Sequence, residues 1–299
     1  MRLRHPSGRT VHLSCGISLD HAEDVTAAVE RLDAANTVLR GHFGSGPLSV
    51  ALRLPYRLAA ALAAGIRART RLRAELDARG LEVVTLSGAP GGGGEQVPPD
   101  WSEPARLRHT LDLARVLVDL LPAEEVRGAL TTGGLGRAGD WDEDRQRDGA
   151  RHLSRLSGGL ADLAWRVGRA VRAGFQPGPG QVLDSPEQIV AALSRVDKDR
   201  LGICLDLATV LRDWPTPEAG IDRLTDAGLS VITARIADPA AGWQPVLRHL
   251  LAADTARTEY VDVDVDGGDE SRCEALAYVL DELTGLGLVP EQEPCPAVP

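Results

Sequence analysis

Short runs rich in β-branched and apolar residues alternate with longer helical patterns about eight times along this chain. That rhythm is the signature of βα units laid on a parallel sheet. The expected strands are Thr10–Cys15, Leu48–Leu54, Leu81–Ser87, Arg127–Thr132, Val171–Gln176, Leu201–Leu207, Leu229–Ala237 and Glu259–Val265. The clearest helical patterns are Tyr56–Arg79, Glu103–Leu121, Asp142–Arg169 and Glu270–Leu283. Asp184–Ser185–Pro186–Glu187 reads as a helix start, with a capping residue followed by proline in the first turn. Gly80 and Gly228 fall just past helix ends, where a left-handed backbone is needed. Eight units predict an α/β fold of the closed (β/α)8 TIM barrel type. An open doubly wound sheet is the alternative, but no GxGxxG follows the first strand. A length of 299 residues suits one barrel over residues 1–289. Pro290, Pro294, Pro296 and Pro299 predict a disordered tail over residues 290–299.

Composition narrows the function classes. Apolar residues make up 43% of the chain and aromatic ones 3%, so the core must be mostly aliphatic. A formal charge of −10 disfavours nucleic acid and anionic membrane surfaces. Arg2, Arg4 and His5 are followed by no apolar signal region. No stretch reaches the roughly 18 apolar residues of a bilayer span. Cys15, Cys204, Cys273 and Cys295 have no CxxC spacing, which suits free thiols in the cytoplasm. Lys198, the only lysine, precedes a strand instead of following one, which excludes imine chemistry at a barrel mouth.

A period of two assigns the lumen-facing side chains. Val261, Val263 and Val265 are expected against the helices, leaving Asp262, Asp264 and Asp266 for the lumen or its mouth. Ile232, Ala234 and Ile236 facing outward turn Thr233 and Arg235 inward. The same logic places Arg53, Arg172, Gln176, Asp206, His12 and Ser14 inside. A lumen packed only for stability would be aliphatic, whereas this one is charged. Gly91–Gly94 with Glu95–Asp100, and Gly133–Asp140, are candidate lids or plain surface slack. Trp101 and Trp214, beside loops at the active face, could wall a pocket, while Trp141, Trp165 and Trp243 read as packing residues. His109 and His249 read as surface or packing residues, and Cys15 as a packed thiol.

The runs Arg71–Leu86 (RLRAELDARGLEVVTL), Pro99–Pro122 (PDWSEPARLRHTLDLARVLVDLLP), Phe175–Gly180 (FQPGPG) and Asp197–Ala208 (DKDRLGICLDLA) carry a family resemblance. They resemble EboE-type metabolite-traffic proteins of the xylose isomerase-like TIM-barrel superfamily. The resemblance runs from about His12 to Ile236. It implies a divalent metal held by a glutamate in a FEPEPG-like turn, an aspartate and a histidine in a CLDLAH-like turn, a glutamine or histidine on the seventh strand and a final glutamate. The corresponding residues here are Gln176, Asp206, Thr209, Arg235, and Asp262 or Asp264. The turn that relatives write roughly as YCTNVH reads Cys15–Asp20 (CGISLD). Gln176 offers only a neutral oxygen and Thr209 is a weak donor, while Arg235 has no lone pair to give. The expectation is a site with neither metal nor cofactor, in which Arg235 forks onto Asp206 or Asp264 in the ion's place.

Two functional readings follow. In one, Asp206, Asp264 and Arg235 are catalytic, and a small polar metabolite is bound by Gln176, Arg53, Arg172, Thr209, Asp262, Trp214 and Trp101. The chemistry would be proton-transfer isomerisation or epimerisation, dehydration or cyclisation, in the specialised metabolism that the resemblance implies. In the other, the barrel is a non-catalytic metabolite carrier, with Asp206–Arg235 a space-filling ion pair. Neither needs a nucleic acid or membrane partner, and a homodimer is compatible with both. A retained metal-dependent hydrolase is the third and least favoured reading.

Overall fold

The computed structural model describes residues 1–89, 99–253 and 256–291. Eight parallel strands form the wall of a barrel: β2 (Thr10–Ser18), β3 (Leu48–Pro55), β4 (Leu81–Ala89), β5 (Arg127–Gly133), β6 (Ala170–Gln176), β7 (Leu201–Asp206), β8 (Val231–Ile236) and β9 (Tyr260–Val263). Each pairs with the next, and β9 returns to β2 with His12 opposite Tyr260 and Ser14 opposite Asp262. The expected (β/α)8 TIM barrel is therefore the fold. β1 (Arg2–Arg4) lies antiparallel on the start of β2, and β10 (Val289–Pro290) lies antiparallel on β1, a ribbon the sequence reading did not include. Pro290 thus sits opposite Leu3, and the Glu291 amide donates to the Arg2 carbonyl. The rest of the expected tail, residues 292–299, lies outside the described residues, as do residues 91–98 of the first expected lid.

Ten helices follow the strands: α1 (Val25–Phe43), α2 (Tyr56–Ala64), α3 (Ile66–Ala78), α4 (Pro104–Leu120), α5 (Glu143–Val167), α6 (Pro186–Leu193), α7 (Leu207–Asp213), α8 (Pro217–Asp226), α9 (Gln244–Ala252) and α10 (Asp269–Gly285) among the described residues. In α5 the 3–4 spacing of Leu153, Leu156, Leu160 and Leu163 gives one apolar stripe, and all four are buried. Asp142 caps its first turn by accepting from the Arg145 amide, and Gly168 ends it with φ +71°. α6 opens on a capping box built from Ser185 and Gln188. The single helix expected over Tyr56–Arg79 is two, because Gly65 leaves helical geometry (φ −108°, ψ 100°). Its amide still bonds back to Ala61 and Leu62. A glycine interrupts a helix at low cost because its backbone is the least restricted.

Two register shifts alter the lumen. The pairing of β3 with β4 shifts between Val50 and Ala51, and that of β7 with β8 between Ile203 and Cys204. Each inserts one extra residue, Val84 on β4 and Ile232 on β8. Ile232, expected to face outward, instead joins Val84, Ala129 and Tyr260 in a small buried cluster separate from the main core. Strict alternation fails where a bulge intervenes. Thr85 and Thr233, next along the same strands, are also buried. The aliphatic layer under the polar mouth thus comes from two bulges.

Candidate active site

At the C-terminal end of the barrel, register brings four inward positions to one level. Asp206 on β7 is opposite Arg235 on β8, Arg235 is opposite Asp262 on β9, and Asp262 is opposite Ser14 on β2. One turn higher, Asp264 leaves β9 beside Gly16. Asp206 is also the N-cap of α7: its Oδ1 accepts from the amides of Ala208 (3.1 Å) and Thr209 (3.4 Å). Its other oxygen accepts from Arg235 Nη1 at 3.1 Å. Arg235 Nη2 donates to Asp264 Oδ2 at 2.9 Å and to the Asp264 carbonyl at 3.4 Å. The guanidinium therefore bridges both expected carboxylates. Burial works against its charge, but Asp264 and Asp206 outweigh that, so its pKa is raised.

Asp262 differs in kind. It is buried, accepts a hydrogen bond from Thr85 Oγ1 at 3.1 Å, and makes no ion pair among the described residues. Burial pushes its carboxyl up to about 7, and the Asp264 charge adds to the rise, while the Thr85 bond and the Arg235 charge oppose it. A carboxyl that changes protonation near neutrality beside a fixed cation is equipped for proton transfer. The two groups share a cavity of about 250 Å³, whose lining includes Arg53, Arg106, Gln176, Arg235, Asp262 and Asp264. Arg53 is steadied by Asp20 at 2.9 Å. That volume is at the small end for ligand sites, so a small metabolite is the natural occupant.

Four of the expected site residues are elsewhere. Arg172 does face inward, but in register with Ala129, near the bottom of the barrel, where its Nε donates to the Asp199 carbonyl at 3.2 Å. Thr209 belongs to the first turn of α7, so the helix carries its side chain, and it does not line the cavity. Trp101 is fully buried, edge-on to Phe175 at 5.4 Å between ring centroids. Trp214 is buried against Gly220, with its Nε1 donating to the Asp184 carbonyl at 3.2 Å. Both tryptophans pack into the wall, and neither lines the cavity. Asp266 is exposed beyond the mouth. Lys198 donates to the Ala227 carbonyl, below the start of β7. Cys15 is buried and its thiol is raised to about 12 by burial, as a packed thiol should be.

Two residues of the mouth, Arg106 and Tyr56, went unread, and His109, read as a surface or packing residue, packs against the second. Arg106 reaches from α4 into the cavity, Tyr56 opens α2, and the ring of His109 stands 3.9 Å from that of Tyr56. Gly88 makes room for this histidine, since a Cβ there would lie 2.2 Å from His109 Nε2. Burial, with the neighbouring Arg106, lowers the His109 pKa to about 3, so the ring is neutral. The available signal was spacing. Arg106 and Thr110 share the stripe of Leu113 and Leu117, so an arginine stood on the buried face of a helix.

The site does not fit the divalent ion that this fold often carries. Its position is crossed by a guanidinium that already bonds both carboxylates, and Gln176 is neutral. No group of three or more His, Cys, Asp or Glu suited to a metal is gathered among the described residues.

Residues 49–282 match the family of xylose isomerase-like TIM barrels, and the chain belongs to that family. No curated protein matches the sequence. Among solved structures, a D-tagatose 3-epimerase-like protein shares 14% identity with a TM-score of 0.62, covering 93% of this chain and 98% of that one. The 3-keto-D-glucoside 4-epimerase of E. coli shares 11% identity with a TM-score of 0.58, covering 93% and 99%. A xylose isomerase-like TIM barrel protein of Mycobacterium smegmatis, in complex with magnesium, shares 15% identity with a TM-score of 0.61, covering 92% and 97%. At these identities the likeness concerns the fold. Among the described residues no helix is long and apolar enough to cross a membrane.

Proposed function

We propose that this barrel catalyses proton-transfer isomerisation or epimerisation of a small polar metabolite without a divalent metal. The observation that carries this reading is the pairing, in one cavity, of a buried carboxyl held near neutrality, Asp262, with the fixed cation Arg235. A proton α to a carbonyl is removed by Asp262, the developing oxyanion is met by Arg235, and return of the proton to the neighbouring carbon completes isomerisation, whereas epimerisation takes a proton from water on the opposite face. Expulsion of a leaving group from the same enolate would give dehydration. Asp206 and Asp264 orient the arginine in this scheme and are not themselves bases, since the oxygens facing Arg235 are held in ion pairs. Epimerases among the structural neighbours are consistent with it.

The test is solvent exchange. Purified protein is incubated with ketoses and aldoses in D₂O, and deuterium at the carbon next to the carbonyl is followed by NMR. Exchange with at least one substrate, lost in Asp262→Asn, is expected; exchange that persists in this variant refutes the assignment. A second reading, metabolite binding without turnover, draws on the engagement of both Arg235 Nη atoms by carboxylates. Tight binding with no exchange would favour it.

A further inference from the structure

Three arginines line the cavity, and they are not equivalent. Arg235 holds two carboxylates and Arg53 holds one. Arg106 is only 8% exposed, yet makes no ion pair among the described residues. Its Nε and Nη2 donate to Thr132 Oγ1 at 3.1 and 2.6 Å, and its Nη1 donates to Tyr56 Oη at 3.1 Å. Those partners are neutral oxygens, so they satisfy hydrogen bonds but leave the charge uncompensated. A guanidinium has five N–H groups, and two remain to be used. The ring of Trp101, 6.0 Å from the guanidinium carbon, gives one face a weak partner. Burial accordingly lowers the pKa of Arg106, the reverse of what Arg235 experiences.

The surroundings leave room on the open side. A Cβ on Gly133 would come within 3.3 Å of Arg106 Nη2, and glycine removes it. Arg106, Gly133 and Gln176 line the 250 Å³ cavity and also an outer cleft of about 690 Å³, so Arg106 stands at the neck between them. Asp100 in that cleft is already engaged by Arg145 at 2.6 Å. A buried cation without a counter-ion is costly unless an anion arrives to complete it.

We infer that Arg106 receives an anionic group, a carboxylate or a phosphate, at one end of the substrate, while the reacting carbons lie towards Asp262. The substrate class is thus an acidic polyol or sugar. This deepens the proposed function, since it takes the same cavity as the binding site. Thr132 and Tyr56 preset the fork, so that two N–H groups face the ligand without rearrangement.

Isothermal calorimetry in phosphate-free buffer with xylitol, D-xylonate and D-xylulose 5-phosphate tests this. At least one anion should bind about tenfold or more tightly than xylitol, and the better of the two identifies the group. Arg106→Gln should bring that anion to within about threefold of xylitol. Should Arg106→Gln not fold, Arg106→Lys keeps the charge but not the fork, and should lower the preference for the anion over xylitol at least about threefold. Parity of both anions with xylitol, or a preference that survives these substitutions, overturns the inference. Xylitol and D-xylonate have no ketone or aldehyde, so their binding is read without turnover. Anion preference without deuterium exchange would therefore sink only the catalytic proposal, and exchange without anion preference only this one.

Discussion

Gly16 has no side chain because Asp264 occupies the space: a Cβ at Gly16 would lie 2.7 Å from Asp264 Oδ1. The glycine of the first-strand turn thereby lets that carboxylate reach Arg235. Gly16→Ala should displace Asp264 and loosen the fork, costing about 1–3 kcal/mol as overpacked sites do. Chemical denaturation gives the stability, and the exchange rate should fall in the same variant. A variant as stable and active as the parent would show that Asp264 can move aside freely.

Asp262 sets a pH dependence with a definite sign. Its carboxyl is raised from 3.8 to about 7 in the folded chain, so between those values the folded state holds a proton that the unfolded state has released. The stabilising contribution is complete below pH 3.8 and is lost as pH rises through about 7. Asp262→Asn should flatten that part of the stability profile, measured as melting temperature against pH, and the parent's exchange rate should rise as pH passes through about 7. A parental slope in the variant would place the titration elsewhere.

Removing Arg235 strands two carboxylates at once. Arg235→Gln should cost up to about 3 kcal/mol, below the full value for a buried pair because the group is partly solvated, and should lower turnover by roughly 10²-fold or more. Adding Asp264→Asn to it should recover part of the stability but none of the activity. Additive losses in the double variant would mean that the pair is not energetically coupled.

Trp214 is a wall residue. Trp214→Ala should cost about 3–5 kcal/mol, whereas Trp214→Phe should leave ligand binding within about twofold, because the lost ring atoms and the lost bond to the Asp184 carbonyl lie in the wall and not in the cavity. A large change in affinity with Phe would return this residue to the pocket.

Treatment with EDTA and dialysis should alter neither melting temperature nor exchange rate, since the cation of the site is a side chain. Loss of either, restored by magnesium or manganese, would be decisive against the reading.

Much of the architecture could be read from residue pattern because strand period and helix period differ, and eight alternations leave few folds. The inward direction of Asp206, Arg235 and Asp262 followed from the same period of two, and their common level from register. Ile232 escaped it, because a bulge is a property of pairing between strands and leaves little trace within one. Arg172 was legible in direction but not in height: inward is a matter of parity, whereas depth depends on register. Arg106 could not be read from strand alternation, because a helix carries its charge to the mouth.

The two oxygens of Asp206 answer to different parts of the molecule, one to the first amides of α7 and one to the guanidinium. Asparagine could start the helix but would offer no charge, and glutamate would carry the charge on a stem too long to start the helix. Only one of the twenty residues does both, so this position has no neutral neighbours in sequence space.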